Sequence, residues 1–126
     1  MSEKDYSLTE LNKPKDWTTL TDMAKKHLPI IEAPTSVNAN EPFQVKLKIG
    51  GIDGVDHPNM LGHWINWVLL YADLRPIAQI YFYPTMTNNY KATLTITVEK
   101  STTLIAQIYC NLHGVWEGKE AKVLVK

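Results

Sequence analysis

The chain has 126 residues, of which 44% are hydrophobic, and its 13 basic and 13 acidic side chains balance each other. This length suits one domain with one core, and the balanced charge argues against binding to nucleic acid or to an anionic membrane. No apolar run approaches the roughly 20 residues that a membrane-spanning helix needs.

The first ten residues, MSEKDYSLTE, are polar and lack the apolar segment of a secretory signal. We therefore expect a cytoplasmic protein, with residues 1–126 forming one domain and residues 1–16 a polar N-terminal extension. A single cysteine cannot form an intramolecular disulfide, so the fold must be stabilised by its core, a metal or assembly.

After this extension, the string TTLTDMAKK (18–26) favours two helical turns with Thr19 or Thr21 near the N-cap. From residue 27 onwards the chain has the apolar runs and apolar–polar alternation of strands. Seven segments share this character: 27–33, 43–49, 63–73, 76–84, 92–99, 102–110 and 120–126. Turn-forming residues separate them, so the pattern predicts an all-β protein, an antiparallel β-sandwich with short connections.

The only cysteine, Cys110, stands at the end of the strand predicted over 102–110, in the string YCNLHGVWEG. A two-residue turn after it would let His113 point back toward the sulfur. This short spacing is common between two ligands of one metal. On its own it is a weak signal, because a cysteine at a strand end is more often a small buried hydrophobe.

The other three histidines strengthen the metal interpretation. His57 and His63 flank the string PNMLG, in which Pro58 and Asn59 favour a turn that can bring both imidazoles to one centre. His27 stands near the start of the first predicted strand. Together with the pair at the end of the strand, these residues offer up to four nitrogens and one thiolate.

Five such ligands exceed the four of a tetrahedral structural zinc site and leave an octahedral metal one open position. Two alternatives remain at this point. A cupredoxin-like copper carrier also has a C-terminal Cys–His loop, but no methionine follows His113 and two histidines would stay unexplained. A non-catalytic zinc-binding β-sandwich module would use only some of the five side chains.

The motifs KHLP (26–29), HPNMLGH (57–63) and YCNLHGVWE (109–117), in this order, resemble the superoxide reductases of the neelaredoxin/desulfoferrodoxin family. The resemblance runs from about residue 17 to the C-terminus. It implies an immunoglobulin-like, seven-stranded sandwich or barrel that holds one iron ion per chain. The implied ligands are four equatorial histidines and an axial cysteine: His27, His57, His63, His113 and Cys110.

The family reduces superoxide to hydrogen peroxide with one external electron and two protons, an antioxidant reaction. The resemblance therefore implies superoxide as the substrate and an electron donor such as rubredoxin. This chain has no N-terminal set of four cysteines, so it resembles the short, single-iron class, which is typically homotetrameric.

One position departs from the family pattern, which reads Glu-Lys-His before the first ligand. Here the string is KKH, so Lys25 replaces the glutamate that caps the ferric iron, and Glu32 lies too far along the chain to substitute for it. Lys26 keeps the family's lysine, and the resemblance implies that it attracts superoxide and stabilises the peroxide formed. We expect the backbone N–H groups of Asn111 and Leu112 to tune the cysteine sulfur.

Overall fold

The computed structural model describes residues 6–126. Residues 1–5, the first part of the predicted polar extension, lie outside the described residues. The described part contains one helix, α1 (Asp22–His27), and nine strands. The strands are β1 (Pro29–Glu32), β2 (Ser36–Val37), β3 (Phe43–Ile49), β4 (Ile65–Ala72), β5 (Arg75–Tyr81), β6 (Lys91–Ile96), β7 (Thr102–Cys110), β8 (Gly114–Glu117) and β9 (Ala121–Val125).

The strands form two sheets. The smaller has the order β1-β3-β6, and the larger has the order β2-β9-β7-β4-β5 with β8 also paired to β7. All pairs are antiparallel except β2 with β9. The predicted all-β fold is confirmed, and β2 and β8 are additional to the seven expected strands. A helix able to cross a bilayer is absent from residues 6–126.

The core lies between the two sheets, and β7 and β3 supply much of it. Every second residue of β7 is buried, as expected for a strand with one face toward a core. The same alternation in β3 buries Val45, Leu47 and Ile49. The last member of the buried row in β7 is Cys110, so the strand directs this sulfur inward at the end of the sandwich.

Helix α1 is short because the sequence gives it a clear start and a clear stop. The Thr21 hydroxyl accepts a hydrogen bond from the backbone N–H of Ala24 at 3.1 Å, which caps the first turn. Leu28 adopts an extended conformation, and Pro29 begins β1. The predicted helix is confirmed, with Thr21 as its cap, and its last residue is the fully buried His27.

A glycine-rich loop supports the end of this helix. Gly50 has a φ of +72°, and its N–H donates to the Leu28 carbonyl oxygen at 3.0 Å. A Cβ atom at this position would overlap the carbonyl oxygen of Lys26. Glycine is therefore required for the close approach as well as for the backbone angle. The loop fixes the helical turn that carries Lys26 and His27.

We expect Gly50→Ala to lower the free energy of unfolding by more than about 3 kcal/mol, since the left-handed angle and the overlap both oppose an alanine. Gly54→Ala is the matched control, because Gly54 has a φ of +78° and open space around its Cβ position. That variant should lose only about 1–2 kcal/mol. Chemical denaturation of both variants measures the difference, and equal losses would contradict the close approach.

Candidate metal centre

Four histidines and one cysteine, all candidates from the sequence, converge at one end of the sandwich. The potential ligand atoms of His27, His57, His63 and Cys110 all lie within 4.8 Å of one another. The sulfur is 3.4 Å from Nε2 of His57 and 3.7 Å from Nδ1 of His113. The structure therefore brings together all five side chains, from the helix end, two loops, a strand end and a turn.

The four imidazoles form a closed ring around a common centre. Neighbouring ring centroids are separated by 4.7 Å for His27 and His57, 4.5 Å for His57 and His63, 4.8 Å for His63 and His113, and 5.0 Å for His113 and His27. The diagonal from His27 to His63 is longer, at 6.3 Å. All neighbouring pairs meet edge to face, so their nitrogens can face one point.

Hydrogen bonds fix which nitrogen of two rings faces the centre. Nδ1 of His27 lies 2.7 Å from the Met23 carbonyl oxygen, and Nδ1 of His57 lies 2.7 Å from the Pro58 carbonyl oxygen. A carbonyl oxygen only accepts, so each Nδ1 carries the proton and each Nε2 keeps its lone pair. These second contacts are the type that orients metal-binding histidines.

Two observations show that these residues fit a metal ion: two buried nitrogens lack hydrogen-bond partners, and the ligand atoms are spaced as they would be around one ion. Nε2 of His27 and Nε2 of His63 are buried without a hydrogen-bond partner, which is costly unless another group binds them. Two atoms on opposite sides of one transition metal, each at about 2.0–2.3 Å, are just over about 4 Å apart. The ligand atoms of His27, His57, His63 and Cys110 lie within 4.8 Å of one another, which is close to this separation.

Burial keeps the imidazoles neutral. It lowers the pKa of His27 to about 3 and that of His57 to about 4, and it lowers the pKa values of His63 and His113 as well. Burial also raises the pKa of the Cys110 thiol. The nitrogen lone pairs are therefore available at neutral pH, whereas a thiolate here needs a nearby cation such as a metal.

The turn after β7 differs in one detail from the sequence prediction. Backbone N–H groups of Leu112 and His113 reach the sulfur and oppose the rise in its pKa. The N–H of Asn111 instead donates to the Trp64 carbonyl oxygen at 3.3 Å. The Asn111 side chain accepts from the Trp64 N–H and donates to the Gly62 carbonyl oxygen, both at 2.8 Å. Asn111 thus fastens the turn to the loop before β4.

Tyr90 is a supporting residue that the sequence analysis missed. Its hydroxyl donates to the Pro58 carbonyl oxygen at 3.0 Å and accepts from the Ile65 N–H at 3.2 Å. That carbonyl oxygen also accepts the hydrogen bond from His57 Nδ1, and Ile65 pairs with Cys110 across the sheet. The Tyr90 hydroxyl therefore joins the backbone groups that neighbour two of the candidate ligands, His57 and Cys110. No spacing or motif in the sequence marks it.

Trp116 closes another side of the cluster. Its ring stacks on His27, with centroids 5.0 Å apart and planes 12° from parallel. Its indole N–H donates to the His113 carbonyl oxygen at 3.0 Å. The side chain is buried, so it excludes water from the histidine that lies deepest.

The charged residues near the site divide into two groups. The positive charge of Lys26 lowers the pKa of His57, His63 and His113, so its ammonium group acts directly on the cluster. Lys25 is paired instead with Asp53, with Nζ 3.2 Å from Oδ2.

No carboxylate among the described residues joins the clustered ligand atoms. Glu32 is exposed at the end of β1, opposite Lys46 in the pairing of β1 with β3. It lines a surface cleft with Lys48 and Lys91. That cleft belongs to the smaller sheet, so Glu32 does not replace the missing glutamate.

Comparison with known proteins places this geometry in context. The desulfoferrodoxin family profile matches residues 19–119. A relative from Methanocaldococcus jannaschii is 36% identical over 99 residues, which cover 77% of this chain and 82% of the relative. A neelaredoxin from Megalodesulfovibrio gigas is 26% identical, with 93% of this chain and 98% of the relative covered.

Solved structures agree with the sequence matches. A superoxide reductase (neelaredoxin) from Ignicoccus hospitalis superposes with a TM-score of 0.76 at 33% identity, covering 90% of this chain and 94% of that one. A superoxide reductase from Nanoarchaeum equitans gives a TM-score of 0.63 at 36% identity, covering 78% and 93%. The chain is therefore similar to these proteins over most of its length.

The buried imidazoles predict how the stability of the metal-free protein depends on pH. An unfolded histidine takes up a proton near its ordinary pKa of 6.5, whereas folded His27 resists protonation down to about pH 3. The unfolded state then binds more protons, so the free energy of unfolding should fall as the pH drops from 6.5 toward 3. Thermal unfolding of the metal-free protein at several pH values measures this fall. His27→Gln should flatten the slope, and an unchanged slope would contradict it.

Proposed function

Since the chain belongs to the desulfoferrodoxin family, we propose that it reduces superoxide to hydrogen peroxide at a mononuclear non-haem iron centre. The observation that carries this proposal is the closed ring of four imidazoles with one cysteine sulfur beside it. The balanced reaction consumes one superoxide, one electron from an external donor and two protons, and it yields one hydrogen peroxide. Dioxygen is not a product, which separates this reaction from dismutation.

We assign the five converging side chains as the ligands of one iron ion per chain: His27, His57, His63, His113 and Cys110. Imidazole nitrogen and thiolate sulfur together suit iron, and the thiolate donates electron density to it. The bound iron would supply the one-electron redox change between the ferrous and ferric states. The chain's own contribution is to keep the imidazoles neutral, to direct their nitrogens to one point and to shield the Cys110 sulfur from water.

The access side of the site follows from the burial of the ligands. His27 and His57 are buried, whereas His63 and His113 are half-buried. A small anion therefore approaches past the latter two rings. Lys26 is the cation that acts on both of them, so its field raises the local concentration of superoxide and opposes the negative charge that builds up during reduction.

The missing glutamate changes the resting ferric site. Because Lys25 is paired with Asp53 and Glu32 lies on the smaller sheet, no described carboxylate lies among the side chains that would hold the iron. We infer that the resting ferric iron would be five-coordinate or would take water or hydroxide in the absence of substrate.

The alternative functions fit the geometry less well. A cupredoxin-like copper site has two histidines, one cysteine and a weak axial ligand. It would leave two of the four clustered histidines without a metal to bind. A tetrahedral zinc site would leave one ligand unused. Both remain measurable outcomes of a metal analysis.

The partners are proposed from the family alone. A small one-electron carrier such as rubredoxin would be the electron donor, and four copies of the chain would assemble. The cytoplasmic location stays a prediction from the sequence.

The metal content, colour and products of the purified protein test the proposed function. We expect one iron per chain and a visible absorption band that reductant bleaches and Cys110→Ser abolishes, because the band arises from the thiolate bond. Superoxide consumption should then yield one hydrogen peroxide per superoxide without dioxygen. Tyr81→Ala, at an exposed position on β5, is the control. Copper or zinc in place of iron, or release of dioxygen, would refute the proposal.

The role of Lys26 is tested separately. Lys26→Met should slow the second-order reaction with superoxide roughly three- to tenfold at low salt, since it removes the positive charge that acts on His57, His63 and His113. Lys25→Met, which removes a lysine already paired with Asp53, should stay within about twofold of the parent. Pulse-generated superoxide kinetics measure both rates. The deficit of the Lys26 variant should shrink in about 0.5 M salt; equal losses in both variants would contradict steering by Lys26.

A further inference from the structure

The segment that precedes the helix is attached to the metal end of the sandwich. We call residues 6–13 the N-terminal strap. The Asn12 N–H donates to the Val115 carbonyl oxygen at 2.9 Å, and the Asn12 carbonyl oxygen accepts from the Glu117 N–H at 3.0 Å. Lys13 adds an ion pair with Glu117 at 3.0 Å. The strap therefore runs along β8, the strand that follows the last candidate ligand.

The Asn12 side chain closes the strap on itself and on the ligand turn. Its Oδ1 accepts from the Ser7 N–H at 2.6 Å, and its Nδ2 donates to the carbonyl oxygens of Ser7 and Val115, both at 2.9 Å. The same Nδ2 lies 3.5 Å from the His113 carbonyl oxygen. Asn12 is 8% exposed, so these contacts are shielded from water.

The strap approaches the ligand turn so closely that only glycine fits between them. Gly114 has a φ of +84°, and a Cβ atom there would lie 2.6 Å from the Ser7 carbonyl oxygen. The residue immediately before it is His113. The close approach therefore places the start of the strap directly against the half-buried ligand of the cluster.

Tyr6 makes the direct contact. Its ring meets the His113 imidazole edge to face, with centroids 4.6 Å apart and planes at 76°. Within the cluster, this imidazole also contacts the rings of His27 and His63 and lies 3.7 Å from the Cys110 sulfur. Tyr6, which is not a candidate ligand, thus packs against His113 from outside the cluster.

We propose that the strap is a positioning element for the metal centre, with Tyr6 fixing the imidazole of His113. The strap precedes the stretch that the family profile matches, residues 19–119. The proposal rests on the metal centre of the proposed function. In this proposal Tyr6 acts by orienting His113 and does not contact the substrate.

Cobalt(II) binding to the metal-free protein tests this role without measuring activity. The charge-transfer absorption of the thiolate–cobalt bond reports both the affinity of the site for cobalt and the geometry of the site. Tyr6→Ala should weaken cobalt affinity about tenfold, as loss of a contact that orients a ligand does, and should shift the band. Tyr6→Phe keeps the ring and should restore both to the parent values. Tyr81→Ala, which removes an exposed tyrosine on β5, should bind as the parent does.

Amide exchange separates a local effect from a loss of folding. In the metal-free Tyr6→Ala variant, the Glu117 N–H that donates to Asn12 should exchange faster than in the parent, while core amides of β7 remain protected. If Tyr6→Ala does not fold, Tyr6→Leu keeps the apolar volume without the ring and should show the same loss of affinity.

Two outcomes would overturn the proposal. One is parental cobalt binding in the folded variant that lacks the ring, and the other is a loss in Tyr6→Phe as large as that in Tyr6→Ala. If the parent chain itself bound no cobalt through its thiolate, the metal centre would fail, and the failure would then lie with the proposed function.

Discussion

The structure depends on one unfavourable arrangement: several imidazole lone pairs buried together around a single point. Nε2 of His27 and of His63 have no hydrogen-bond partner, and burial disfavours the protonation that could otherwise satisfy them. A cation at the centre removes this cost for all of the rings at once. The ends of the helix and strands therefore meet where a metal is needed, and the rest of the fold serves to hold them there.

The surrounding contacts act mainly on orientation. The Pro58 carbonyl oxygen accepts hydrogen bonds from both His57 and Tyr90, and Trp116 stacks on His27. Asn111 joins the cysteine turn to the loop before β4. Such contacts decide which nitrogen faces the centre and how freely each ring turns. The centre is consequently built from two layers, and the outer one includes Tyr90, which no sequence pattern marks.

The contrast between these layers explains what the sequence could predict. Strands such as β7 were predictable because alternation persists over nine residues, and the ligands were predictable because their types and spacing are distinctive. The two-residue β2 and the four-residue β8 are too short to show a period. Tyr90 contributes through hydrogen bonds to Ile65 and Pro58, which precede it by 25 and 32 positions. Such long-range partners leave no local signal.

The ligand positions also define a chain topology. His27 and His57 are 30 positions apart, and His63 and Cys110 are 47 apart, so a metal bound by all five would close two long loops at one node. In a chain with one cysteine, this node would stabilise the folded state, because the five ligands that close these loops come together only in the folded chain. Loading with metal would then set the lifetime of the fold against unfolding, as well as its chemistry.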